Sequence, residues 1–161
     1  MVEPDTQWIF SLPSGEYQGH PTRKHGFLAY IKILNRGLRD VSLSSWKLII
    51  DTIDGQKIEL RPLSIPQPQI KLGASENLKL FPVLGSESTM IKSGDSVSGF
   101  AYYIAEFYGS DRYNISIKEG KIRGKAVIES IFGNKANTII TFNEITLEKA
   151  KELINDIDKI H

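Results

Sequence analysis

The sequence predicts an all-β fold, a sandwich or barrel of about eight or nine short strands, with one amphipathic helix at the C-terminal end. Three observations lead there. Apolar residues alternate with period two, as in Phe27-x-Ala29-x-Ile31-x-Ile33 and Trp46-x-Leu48-x-Ile50. Turn-forming residues recur about every ten positions. After Thr146 the period changes, and Leu147, Ala150, Ile154, Ile157 and His161 fall on one helical stripe.

Taken in order, Trp8, Phe10 and Leu12 form a first strand closed by Pro13-Ser14-Gly15, and the polar run from Tyr17 to His25 reads as a loop. Phe27 to Leu34 is apolar on most of both faces and ends at Asn35-Arg36-Gly37, residues that tolerate positive φ. Two strands around Trp46–Ile50 and Ile58–Leu60 flank Ile53-Asp54-Gly55. A two-residue turn there would put their apolar sets on opposite faces. A three-residue loop pairs Ile50 with Ile58 and Leu48 with Leu60, so the pattern selects the longer loop, with Gly55 left-handed.

Pro62, Pro66 and Pro68 make residues 61 to 70 an extended crossover, since proline removes ladder donors. Leu78 to Val83 is an edge strand and Gly85 to Ile91 a loop. Ser93-Gly94-Asp95 is a turn entering the most apolar strand. There Phe100, Tyr102 and Ile104 alternate with Val97, Gly99, Ala101, Tyr103 and Ala105, so both faces need cover. Tyr113 to Lys118, Ile122 to Phe132 and Thr138 to Phe142 complete the strands. The helix, residues 146 to 160, has Thr146 as N-cap and Glu148 in its first turn. Its stripe suits the surplus apolar surface of the two-sided strands, making residues 1 to 161 a single domain. An interface with another chain is the rival use.

Composition narrows function by exclusion. Twenty Lys and Arg against nineteen Asp and Glu leave a net charge of +1, which gives no electrostatic reason to expect nucleic acid. There are no cysteines, so disulfides, thiolate metal sites and thiol catalysis are excluded. No window approaches a membrane-spanning length of apolar residues. Met1 to Thr6 lacks the basic start and apolar run of a signal peptide, which points to the cytoplasm if Met1 is the native start.

Motifs for chemistry fall short. His20 and His25 lie in a loop with no acidic residue between them, the pattern of solvated side chains rather than a metal site. Gly94-Asp-Ser96-Val-Ser98 lacks the closing glycine of a nucleophile elbow and precedes a strand instead of a helix. Placing Gly55 at the sixth position of a calcium loop puts Ile50 and Arg61 where acidic ligands belong. Asn114-Ile-Ser116 matches a glycosylation triplet but falls on an expected strand. Lys121, Arg123 and Lys125, and the pair Arg36 and Arg39, are basic rows of the kind that keep surfaces soluble. Neither a catalytic site nor a cofactor is therefore expected.

The aromatics after the long strand stand out: Tyr102, Phe107, Tyr108 and Tyr113, with Asp111 and Arg112 in the turn between them. Stacked aromatics on a β-surface serve sugars, small ligands or a partner chain; packing within the core is the competing use. Asn35-x-Gly37 after a strand, the Trp46 strand, Asp54-Gly55, and Ser93-Gly-Asp-Ser-Val-Ser-Gly99 before an aromatic strand resemble immunoglobulin-like domains of unknown function on bacterial envelope proteins and lipoproteins. The resemblance spans roughly residues 26 to 107 and implies an immunoglobulin-like antiparallel β-sandwich. It also implies a non-catalytic role in protein interaction or assembly, and a place in the bacterial cell envelope. A carbohydrate- or small-ligand-binding domain using the aromatics is the alternative.

Overall fold

The computed structural model describes residues 7–13, 15–63, 71–72, 76–77, 89–108, 114–154 and 157–159. These form an all-β architecture with one short C-terminal helix. The strands are β1 (Gln7–Leu12), β2 (Glu16–Tyr17), β3 (His20–Leu34), β4 (Val41–Asp51), β5 (Lys57–Leu60), β6 (Lys71–Leu72), β7 (Glu76–Asn77), β8 (Thr89–Ile91), β9 (Ser96–Tyr108), β10 (Lys121–Ser130) and β11 (Lys135–Glu144). Helix α1 (Leu147–Leu153) and a 3-10 turn (Ile157–Lys159) follow.

Nine strands join in one mixed sheet, and β6 and β7 pair separately. The sheet has two antiparallel parts. In the first, β3 pairs with β1 on one edge and with β9 on the other, from Thr22↔Tyr108 to Leu34↔Ser96. In the second, the order is β11, β10, β4, β5, with β8 also on β4. The two parts meet at β1, which runs parallel to β11 at Trp8↔Asn143 and Ile9↔Glu144.

The inner side chains of both parts make one core. Ile9, Phe27, Ala29, Tyr103, Ala105, Trp46, Leu48, Ile50, Ala126, Ile140 and Phe142 are all buried in it. Phe27 meets Phe142 edge-on, with ring centroids 5.2 Å apart, although β1 lies between their strands. The even-numbered residues of β3 and β9 face the other way. Leu28, Phe100 and Tyr102 form a second cluster with Phe10 and Leu12 of β1, under Ala150, Ile154 and Ile157. The helix stripe thus lies on the outer face of β1, β3 and β9, the strands whose two-sided apolar pattern demanded cover. Thr146 caps α1, its Oγ1 accepting from Lys149 N.

The β4–β5 hairpin has the register that hydrophobic alternation selected, with Leu48↔Leu60 and Ile50↔Ile58 paired. Thr52 N donates to Gln56 O at 2.8 Å, and Gly55 takes φ +85°. Five expectations change. Ile131 and Phe132, expected at the end of a strand, lie in the turn that follows β10, which stops at Ser130. The polar run before Phe27 is strand, because residues 22 to 26 are paired with β9 and residues 24 to 26 also with β1. Thr89–Ile91 is strand, not loop, because it pairs with Val41–Leu43. Residues 114 to 118 make only isolated bridges, Thr52↔Ile115 and Lys118↔Lys121, and Ile115 is buried in the inner core. The C-terminal helix stops short: Ile154 is extended, at φ −136° and ψ 114°. That break leaves Ile154 and Ile157 both buried on the sheet. The expected strand at Leu78 to Val83 and most of the proline-rich crossover lie outside the described residues.

Candidate interaction surface

The aromatic residues singled out from the sequence do not form one surface. Strand alternation on β9 sends Tyr102 to the outer face and Phe107 to the inner. Tyr102 is fully buried and stacks on Phe10 with centroids 6.1 Å apart. Phe107 is buried beside the His25 ring. Tyr108 is half exposed. Asp111, Arg112 and Tyr113 lie outside the described residues. Burial raises the Tyr102 hydroxyl well above the usual tyrosine range, with the Asp158 charge acting in the same direction.

His25 is also buried, not a solvated loop residue. Asn114 Oδ1 accepts from Ile115 N at 2.8 Å and lies 3.2 Å from His25 Nε2, which places the imidazole proton on Nε2. Desolvation lowers the His25 pKa, against the opposing effect of its hydrogen bond to Asn114. The side chain of His20 is outside the described set.

A different region has the features of a contact surface: the end of the fold where the β3–β4, β8–β9 and β10–β11 connections meet. Asn35 ties the first two together. Its side-chain Nδ2 donates to Arg39 O at 2.8 Å and Ile91 O at 2.9 Å, and its Oδ1 accepts from Gly37 N at 2.9 Å. Its backbone N donates to Asp95 O and its carbonyl accepts from Gly94 N, both at 2.9 Å. Ser93 adds a bond from Oγ to Gly37 O at 2.6 Å and one from its N to Asp40 Oδ1 at 3.0 Å. Asn35 is therefore a hydrogen-bonding hub. Neither it nor Gly37 has the positive φ that the sequence suggested.

Ser130 organises the third connection. Its Oγ accepts from Phe132 N at 3.3 Å and Asn134 N at 3.2 Å, and Gly133 turns the chain at φ +83°. Ile131 N donates to Ser42 O at 3.0 Å, fastening the turn to β4.

These anchored turns hold large apolar side chains in solvent. Leu38 is 97% exposed and Phe132 79%. Leu34, Met90 and Ile131 are each about half exposed. Beside them is a cleft of about 210 Å³. Ile33, Val41, Leu43, Ile91 and Ile128 line its apolar part, and Arg36, Asn134 and Lys135 are among its polar residues. Leu34 lines this cleft, and Leu38 and Phe132 stand on the turns whose neighbouring residues Arg36 and Asn134 line it. Sequence reasoning missed this surface because it has no period. The available signal was a large apolar residue within turn chemistry, as in Gly37-Leu38-Arg39 and Ile131-Phe132-Gly133.

No helix among the described residues is long and apolar enough to cross a membrane. No known family model and no curated protein matches the chain. It is similar to a crystal structure described as Northeast Structural Genomics Consortium target SoR45, at 16% identity and a TM-score of 0.39, over 91% of this chain and 86% of that one.

Proposed function

We propose that this chain is a non-catalytic β-sandwich module that binds another protein through the turn-built end carrying Leu38 and Phe132. The observation that carries this reading is the exposure of those two side chains on hydrogen-bonded turns. Selection against aggregation disfavours such groups unless contact uses them. The immunoglobulin-like assignment belongs to the same proposal, and the connectivity supports it. One part of the sheet joins β1, β3 and β9, the other β11, β10, β4 and β5, and β1 is shared. In an immunoglobulin-like sandwich the corresponding loops cluster at one end and serve recognition. That step is fold-level analogy.

The test is site-specific photocrosslinking in cells of the source organism. A benzophenone side chain at position 132 should give discrete adducts that the same group at position 139 does not. Equal labelling at both positions, or none at 132, refutes the assignment of this end. The ligand-binding alternative draws less support, since Tyr102 and Phe107 are buried and Tyr108 is the half-exposed member among the described residues.

A further inference from the structure

We infer that the cleft between the β3–β4 and β10–β11 turns takes a partner segment presenting one large apolar side chain flanked by carboxylates. This inference rests on the interaction-module reading and concerns the chemistry of the partner. Three observations define it.

The first is size. At about 210 Å³ the cleft is smaller than the sites that enclose whole small-molecule ligands, which start at roughly 300 Å³. It suits a single anchoring side chain of the kind that dominates protein contacts. The floor of Ile33, Val41, Leu43, Ile91 and Ile128 offers that anchor no hydrogen-bonding side chain, so the anchor is apolar. Leu38 and Phe132 are exposed on the two turns that supply the cleft's polar walls, so a partner seated there can reach them.

The second is charge. Arg36 and Lys135 line the cleft, and no acidic residue among the described residues does. Both are exposed, and neither forms an ion pair among the described residues. The neighbouring carboxylates, Asp40, Asp95 and Glu129, form no ion pair with either cation among the described residues. Asp40 accepts from Ser93 N at 3.0 Å, and Glu129, the ladder partner of Lys135, makes no ion pair with it. Two cations beside an apolar floor favour carboxylates next to the anchor, mainly by steering and orienting the partner.

The third is preorganisation. Asn35 and Ser130 fix both walls by side-chain hydrogen bonds, so binding orders little of this chain. A concave, fixed receptor fits a protein segment better than a lipid surface, which needs only protruding apolar tips.

The experiment is selection of random displayed peptides, about 12 residues long, on the whole protein, with the L38S/F132S variant as the counter-selection target. The enriched peptides should share one Leu, Phe or Met beside Asp or Glu. A synthetic consensus peptide, followed by fluorescence anisotropy, should bind the R36E/K135E variant about tenfold more weakly. Its affinity should fall as salt rises from about 0.05 to 0.5 M. All substituted positions are exposed, and unchanged thermal melting of each variant verifies the fold.

A basic or uncharged consensus that needs Leu38 and Phe132 but ignores charge reversal overturns this inference and leaves the module reading standing. No enrichment over the counter-selection target overturns the inference. If position 132 also fails to crosslink, the reading beneath it falls too. Binding to phosphatidylserine vesicles that F132S abolishes, without peptide enrichment, assigns the end to lipid and overturns it as well.

Discussion

The two outer faces of the sheet are built from similar strands and meet opposite fates. On β1, β3 and β9, Phe10, Leu28, Phe100 and Tyr102 point outward and are sealed beneath Ala150, Ile154 and Ile157. On β10, Lys121, Arg123 and Lys125 point outward and remain exposed. Neighbouring strands there carry the exposed pairs Lys47–Glu59 at 3.1 Å and Lys57–Asp51 at 3.2 Å. The covered face owes its stability to apolar burial from both sides. The open face owes little to its ion pairs, because solvent screens them. The difference teaches that the C-terminal segment completes the hydrophobic layering of one half only.

Three substitutions measure that contrast. The largest effect should come from Ile154→Ala, which empties a fully packed position where the C-terminal segment meets the sheet. A loss of about 3 kcal/mol in urea unfolding is expected. A loss as small as that of an open-face substitution would break the comparison. Gly26→Ala tests the tightness of the same layer. Its Cβ would lie 2.5 Å from Phe10 Cε2 and 3.0 Å from the Tyr102 hydroxyl. Overpacking should cost about 2 kcal/mol in the same assay. Smallest is Ile139→Thr on the open face, where the side chain is 59% exposed. A change below about 0.5 kcal/mol is expected, and a larger loss would show that the open face also contributes through packing.

Much of this contrast was legible in the sequence. Phe100, Tyr102 and Ile104 alternating with Ala101, Tyr103 and Ala105 announce a strand buried on both sides, and the stripe through Ala150, Ile154 and Ile157 announces its cover. The β4–β5 register followed from a parity argument, since a one-residue slip would have turned Ile58 and Leu60 outward. The start of β3 was hidden because its order comes from ladder partners distant in the chain, such as Thr22↔Tyr108, rather than from local alternation. β8 was hidden for a related reason: three residues carry too little pattern to declare a strand.

The candidate site was less legible. Tyr102 and Phe107 stood among the contact candidates because proximity in sequence does not separate aromatics that pack in the core from a half-exposed neighbour such as Tyr108. Leu38 and Phe132 are ninety-four positions apart, and the turns that display them are shaped by hydrogen bonds through Asn35, Ser93 and Ser130 that no local pattern records.

The shared strand β1 has a consequence for the order of events during synthesis. Its edge toward β3 finds a partner at once, because β3 follows closely in the chain. Its other edge pairs with Asn143 and Glu144, which leave the ribosome only after every other strand described here. Until then the nascent β1–β3 pair keeps an open edge, and its outer apolar face waits still longer for Ala150, Ile154 and Ile157. Closure of both the sheet and its roof therefore depends on β11 and the helix that follows it. Such distant pairing slows folding, and a chain halted before β11 would present an unprotected strand edge to its neighbours.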